Sequence, residues 1–139
     1  MSGNRGARYL FMALLGLVIG VVATVMLLRA LEARRDPYPE AVMHVMQAHM
    51  AALKRNVAQN RCAPTDALPH LQTLRQLSND IEPAFAELRD EAGFGRHAST
   101  LRARIDAALA NPPLSCAATQ ATIAQIGEAC SACHNDYNN

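Results

Sequence analysis

The sequence of 139 residues contains no tryptophan, three tyrosines and three phenylalanines. With so few aromatics, and almost no alternation of β-branched with polar residues, no strand pattern emerges and a sandwich or barrel is excluded. Glycine and proline number seven each, too few for a collagen-like or Pro/Gly-rich disordered chain. Internal repeats and low-complexity segments are lacking. So is a basic stripe: the formal net charge is +1, and from Asp36 onward eight basic residues face eleven acidic ones, a net charge of −3. Nothing there invites nucleic acid. Nor does any nucleophile, general base or acidic pair stand out, so no enzyme is expected.

Charge is missing altogether between Tyr9 and Leu28, close to the ~20 residues needed to cross ~30 Å of hydrocarbon. A cleaved signal peptide would have an apolar core of only ~7–15 residues and small residues at the cut. The best cut, after Ala33, has Leu31 where a small residue belongs. The chain therefore reads as residues 1–8, a cytoplasmic tail; 9–28, a retained transmembrane anchor; 29–38, a linker; and 39–139, one soluble domain. A cleaved signal is the alternative. Arg5 and Arg8 precede the span and Arg29, Arg34 and Arg35 follow it, so basic residues alone do not set its orientation. Gly16, Gly20 and Thr24 make a small-residue stripe that permits close helix approach. It reads either as a surface for a dimer or larger membrane complex or as ordinary glycine usage.

Only four cysteines are present, and two of them stand in Cys130-Ser131-Ala132-Cys133-His134. This is the C-x-x-C-H pattern of covalent c-type haem attachment. On a helix, positions three apart share a face, so both thiols reach one porphyrin while His134 turns its imidazole to the iron. One haem c is expected. A zinc half-site and a thioredoxin-like dithiol are the rivals. Zinc would need a second close ligand pair, whereas Cys62 and Cys116 stand far apart, and a dithiol belongs in a βαβ context that is absent here. Haem attachment takes place outside the cytoplasm, which puts the carboxyl-terminal domain in the periplasm and the anchor in a bacterial inner membrane.

The soluble part, rich in Ala, Leu, Arg and Gln, reads as all helix. Pro37 and Pro39 open a first helix that runs to about Arg61, with Met43, Met46, Met50, Leu53 and Val57 on one stripe. Cys62 to Asp66 is a turn ending in the N-cap residues Thr65 and Asp66, and Leu68, Leu71, Leu74, Leu77, Ile81, Phe85 and Leu88 continue at helical spacing. Pro83 should kink or interrupt this second helix, and Gly93-Phe94-Gly95 should end it. A third helix carries Leu101, Ile105 and Leu109. Ser115 caps a fourth, whose inner stripe is Ile123, Ile126, Cys130, Cys133 and Tyr137. Short connections favour antiparallel neighbours, so the expected fold is all-α, an up-down-up-down four-helix bundle preceded by one transmembrane helix, with haem in its core.

Residues 37 to 139 resemble the cytochrome c-prime family, including its low-spin members and its b-type bundle relative. The resemblance rests on Cys-x-x-Cys-His-x-x-Tyr at the end of the last helix and on Tyr38-Pro39-Glu40-Ala41-Val42-Met43 in the first. It implies His134 as the proximal iron ligand and Met43 at the distal position, where methionine binds iron in electron-transfer members and an apolar residue leaves the site open in gas-binding ones. This chain differs in keeping an anchor, in having Pro39-Glu40 where many members have Arg-Gln, and in having Asn138 where a basic residue is common.

Helix rise points to the same methionine. Met43 lies 19 residues from Cys62, and His134 lies 18 from Cys116, ~28 and ~27 Å at 1.5 Å per residue. Met46 and Met50 fall one and two turns higher, Met46 still close enough to touch the cofactor. The stripe taken alone is equally plain core packing. His49, at the edge of the stripe, keeps a bis-histidine site open; His44 and His70 read as solvated and His97 as a polar surface residue. Phe85 should flank the ring, Phe94 cover an edge, and Arg96 and Arg102 are the available cations for the haem carboxylates. Cys62 and Cys116 are expected to meet as a disulfide where the first helix ends and the last begins, the alternative being two buried thiols. The expected function is a membrane-tethered monohaem cytochrome passing single electrons between partner redox proteins. A five-coordinate gas-binding protein and a haem subunit of a larger membrane complex are the other readings.

Overall fold

A computed structural model describes residues 3–32 and 36–137. Ala33, Arg34, Arg35 and Asn138 lie outside the described residues, so the expectations that fall on them stay with the sequence. The chain divides into two units, Met1–Asp36 and Pro37–Asn139.

The first unit is a single helix, α1 (Gly3–Glu32). Within it Gly6–Leu31 is long and apolar enough to cross a membrane, with a mean hydropathy of 2.7. Helical structure thus extends past the expected span at both ends, because Gly3–Arg8 and Arg29–Glu32 contain no proline to stop it. Thr24 spends its hydroxyl on the Gly20 carbonyl, 2.8 Å away.

In the second unit five helices and one turn of 3-10 helix follow. They are α2 (Tyr38–Ala58), α3 (Pro64–Leu77), α4 (Ile81–Ala84), the 3-10 turn Ala86–Leu88, α5 (Ala92–Ala110) and α6 (Cys116–Tyr137). α2 packs on α3 and α6, and α5 packs on the same two, which closes α2, α3, α5 and α6 into a four-helix bundle. The core is apolar and tight: Leu53, Leu71, Leu74, Ile105 and Ile126 are fully buried. Its few buried polar groups are satisfied. Asn56 donates to the Asp66 carbonyl at 3.0 Å and accepts from Arg61, Thr119 donates to the Ser115 carbonyl at 3.0 Å, and Ser78 to that of Arg75 at 2.6 Å.

Several boundaries differ from those expected. α2 stops at Ala58 rather than Arg61, where Asn60 takes a left-handed conformation at φ 56° that asparagine tolerates better than most residues. α3 begins at Pro64, before Thr65 and Asp66. Proline is pre-organised for the first helical position, and Asp66 reaches back to accept from the Ala63 N–H at 3.3 Å. The second helix breaks at Ser78-Asn79-Asp80, ahead of Pro83, because Ser78 bonds back to the chain and competes with helix continuation. Pro83 then sits in the first turn of α4, where its missing N–H has no helical partner to lose. Gly93-Phe94-Gly95 do not end a helix; they open α5. Gly93 is needed for space, since a Cβ there would collide with the Tyr137 hydroxyl. Ser115 caps α6 as expected, its hydroxyl accepting from the Ala118 N–H at 3.1 Å.

Candidate functional site

α6 ends with three chemically versatile side chains in five residues. Cys130 and Cys133 are one turn apart on one face and His134 follows directly, and all three line a cavity of about 340 Å³. From α2 the cavity receives Met43, Met46 and Met50, spaced so that three thioethers share one face. Leu74, Ile81, Ala98, Leu101 and Ile126 complete mostly apolar walls. At Gly127 nothing lies within 4 Å of where a Cβ would be, so the floor beside Cys130 is open. Polar atoms enter the lining through Gln47, Lys54 and His97, as well as His134.

The environment of the two thiols separates the readings the sequence left open. Burial pushes both above the usual cysteine range, reinforced at Cys130 by Cys133 and at Cys133 by Asp136. Their place in the last turns of α6, at the negative end of the helix dipole, works in the same direction. A redox-active dithiol needs the reverse, a lowered thiol at a helix amino terminus. Among the described residues no group of three or more His, Cys, Asp and Glu side chains is assembled to hold a metal ion, which disfavours zinc. The donor set does fit a covalently held haem: two thiols one turn apart, an adjoining imidazole, an apolar hollow and thioethers on a neighbouring wall.

Not every expected site residue lies on this hollow. Met43, Met46, Cys130, Cys133 and His134 converge there. Phe85 does not line it; its ring packs 5.8 Å from that of Phe94, which meets Tyr137 edge-on at 5.4 Å. Arg96 also lies outside the lining, an exposed side chain near Gly93 and Tyr137. Arg102 is committed elsewhere, holding Glu82 through two bonds of 2.7 and 2.8 Å and the Ser78 carbonyl at 3.1 Å. That grip draws the Glu82 carboxyl below its ordinary range. His49 is turned to His70, with Nδ1 atoms 3.0 Å apart, and neither ring lines the cavity. The bis-histidine alternative therefore lacks its ligand, and His70 is not simply solvated.

His97, expected as a polar surface residue, lies elsewhere. It borders the cavity and bonds Asp136 at 2.9 Å, linking α5 to the last turn of α6. A signal existed, because His97, Leu101 and Ile105 fall at helical spacing on the inner stripe of α5. At the far end of the bundle Cys62 and Cys116 form a disulfide, with Cα atoms 5.0 Å apart.

No family model and no curated protein matches the chain. Among solved structures it is similar to cytochrome c′ from Rubrivivax gelatinosus, at 21% identity over 70% of this chain and 89% of that one, with a TM-score of 0.57. The likeness establishes the four-helix-bundle fold.

Proposed function

We propose that the chain is a membrane-tethered, periplasmic monohaem c-type cytochrome that carries single electrons. The observation that carries this reading is the convergence of Cys130, Cys133, His134 and Met43 on one apolar cavity. A haem bound there supplies a one-electron Fe(III)/Fe(II) couple, its potential raised by methionine–histidine ligation.

Cys130 and Cys133 would hold the group by two thioethers, and His134 and Met43 would bind its iron. Met46 would pack beside Met43, and the apolar walls would keep water from the iron. Arg96 is proposed to meet the carboxylates and Phe85 to brace the aromatic cluster at the site's margin. The similarity to a cytochrome c′ supports the haem. The Cys62–Cys116 disulfide supports an oxidising compartment. The Gly6–Leu31 helix supports a tether, and the electron donor and acceptor would be proteins reached at the membrane surface.

Absorption spectra of the full-length holoprotein test the reading. Six-coordinate low-spin haem in both oxidation states, in a protein that fractionates with membranes and keeps its amino terminus, is expected. A five-coordinate high-spin spectrum would instead make this a gas-binding site, and a chain beginning near Asp36 would make it a soluble protein.

A further inference from the structure

The contact between His49 and His70 lies outside the haem cavity. The two rings come from α2 and α3, 21 residues apart in sequence, and meet with Nδ1 atoms 3.0 Å from each other and ring centroids 5.3 Å apart. Neither has another hydrogen-bond partner among the described residues. Both are half-buried.

Two ring nitrogens at this separation share a proton or share a metal. We propose that His49 and His70 form a second metal site, which takes a late first-row divalent cation, copper(II) before nickel or zinc, through both Nδ1 atoms. Metal–imidazole bonds of ~2.0–2.1 Å spanning 3.0 Å close a nitrogen–metal–nitrogen angle of about 91–97°. That is the cis angle of a tetragonal centre, the geometry of copper(II) and nickel(II). A tetrahedral zinc ion would need the nitrogens about 3.3 Å apart, so the rings would have to open. The order of intrinsic affinities also places copper first.

The frame under the pair is rigid. Asn56 ties α2 to the Asp66 carbonyl at 3.0 Å, Leu53, one helical turn from His49, and Leu71, beside His70, are fully buried, and the disulfide links the end of α2 to α6. A metal would replace the shared proton: the donating ring passes its Nδ1 proton to Nε2, and both rings turn so that the nitrogens now directed at each other converge on the ion. Arg55 and Arg61 lie close enough to act on His70 electrostatically. The same two guanidinium groups oppose a cation, which limits the site to moderate affinity. Among the described residues no third protein ligand is assembled, so the remaining positions would be left to water.

The inference is independent of the haem reading and is tested on the full-length, haem-loaded chain in detergent, stripped with a chelator and titrated with Cu²⁺, Ni²⁺ and Zn²⁺ separately. One Cu²⁺ per chain is expected, bound tighter than Ni²⁺ or Zn²⁺, with a tetragonal copper EPR signal split by two nitrogens and an unchanged haem spectrum. His49→Gln and His70→Gln, each checked for native helicity, should each weaken Cu²⁺ at least as much as loss of an outer-shell partner does, about 10–100-fold. His44→Gln, on an exposed position of the same helix, should leave it unaltered. Equal Cu²⁺ affinity in His49→Gln or His70→Gln and the parent chain, zinc bound tighter than copper, or a haem spectrum that changes with copper would overturn the proposal.

Discussion

Replacing both disulfide cysteines, Cys62→Ser with Cys116→Ser, isolates the bridge from every other contact in the bundle. The bond closes a loop of 54 residues between the end of α2 and the start of α6. In the chain-entropy treatment a loop of this length restricts the unfolded chain by about 4 kcal/mol. For a domain near 100 residues each kcal/mol moves the melting temperature by about 4–8 °C, so the double variant should melt on the order of 15–30 °C lower. The haem spectrum should not move, because Cys116 and His134 are separated by 18 residues of continuous helix, ~27 Å along the axis. Melting followed by circular dichroism, with the spectrum recorded on the same sample, reads both quantities. An unshifted melt would refute the linkage, as would labelling of both Cys62 and Cys116 in the denatured, unreduced parent protein. A haem spectrum that changed in the double variant would refute the claim that the bridge acts on stability alone.

The Glu82–Arg102 pair makes stability depend on pH. Glu82 is lowered from an ordinary value of 4.5, first by its hydrogen bond to Arg102, so a depressed folded-state carboxyl contributes stability that is full above that value and is lost as pH falls through the folded one. The difference in melting temperature between the parent and Glu82→Gln should therefore be largest near neutrality and shrink below pH 4.5; a difference that grew in acid would contradict the pairing. Gly93→Ala should lower the melting temperature, because the Tyr137 hydroxyl must move aside. In a Tyr137→Phe background, which removes the colliding hydroxyl, the same change should be neutral or stabilising, and additive effects in that double-mutant cycle would rule out the clash.

The four long helices of the bundle and their order were legible because long apolar stripes at 3.6-residue spacing and Pro-rich breaks are local signals, whereas the short α4 and the 3-10 turn were not. The positions of Cys130, Cys133, His134, Met43 and Met46 on one cavity followed from the same spacing plus helix rise. What escaped was set by contacts between distant residues. The break at Ser78 depends on a hydroxyl turning back on its own chain, and Gly93 of α5 answers to a tyrosine 44 residues later in sequence. Arg102 looked available for an anionic ligand only because its bidentate partner, Glu82, lies 20 residues away. His49 and His70 likewise carry no mark of each other in the sequence, and their pairing appears only once α2 and α3 are packed. Placing Phe85 against the ring requires regular helix rise down to Pro83, and the break at Ser78 removes it.

Met43 is where the electron-carrier reading stands or falls, and the spectrum of Met43→Ala in the ferric and ferrous holoprotein probes it most directly. With His134 and Met43 as axial ligands, the variant converts to high spin and gains CO binding in the ferrous state, while Met46→Ala and Met50→Ala stay low spin. Met46→Ala, at a side chain only 6% exposed, should then cost ~2–5 kcal/mol of stability. A parent protein that is already high spin and CO-reactive, or a Met43→Ala protein with an unchanged low-spin spectrum, would contradict methionine ligation.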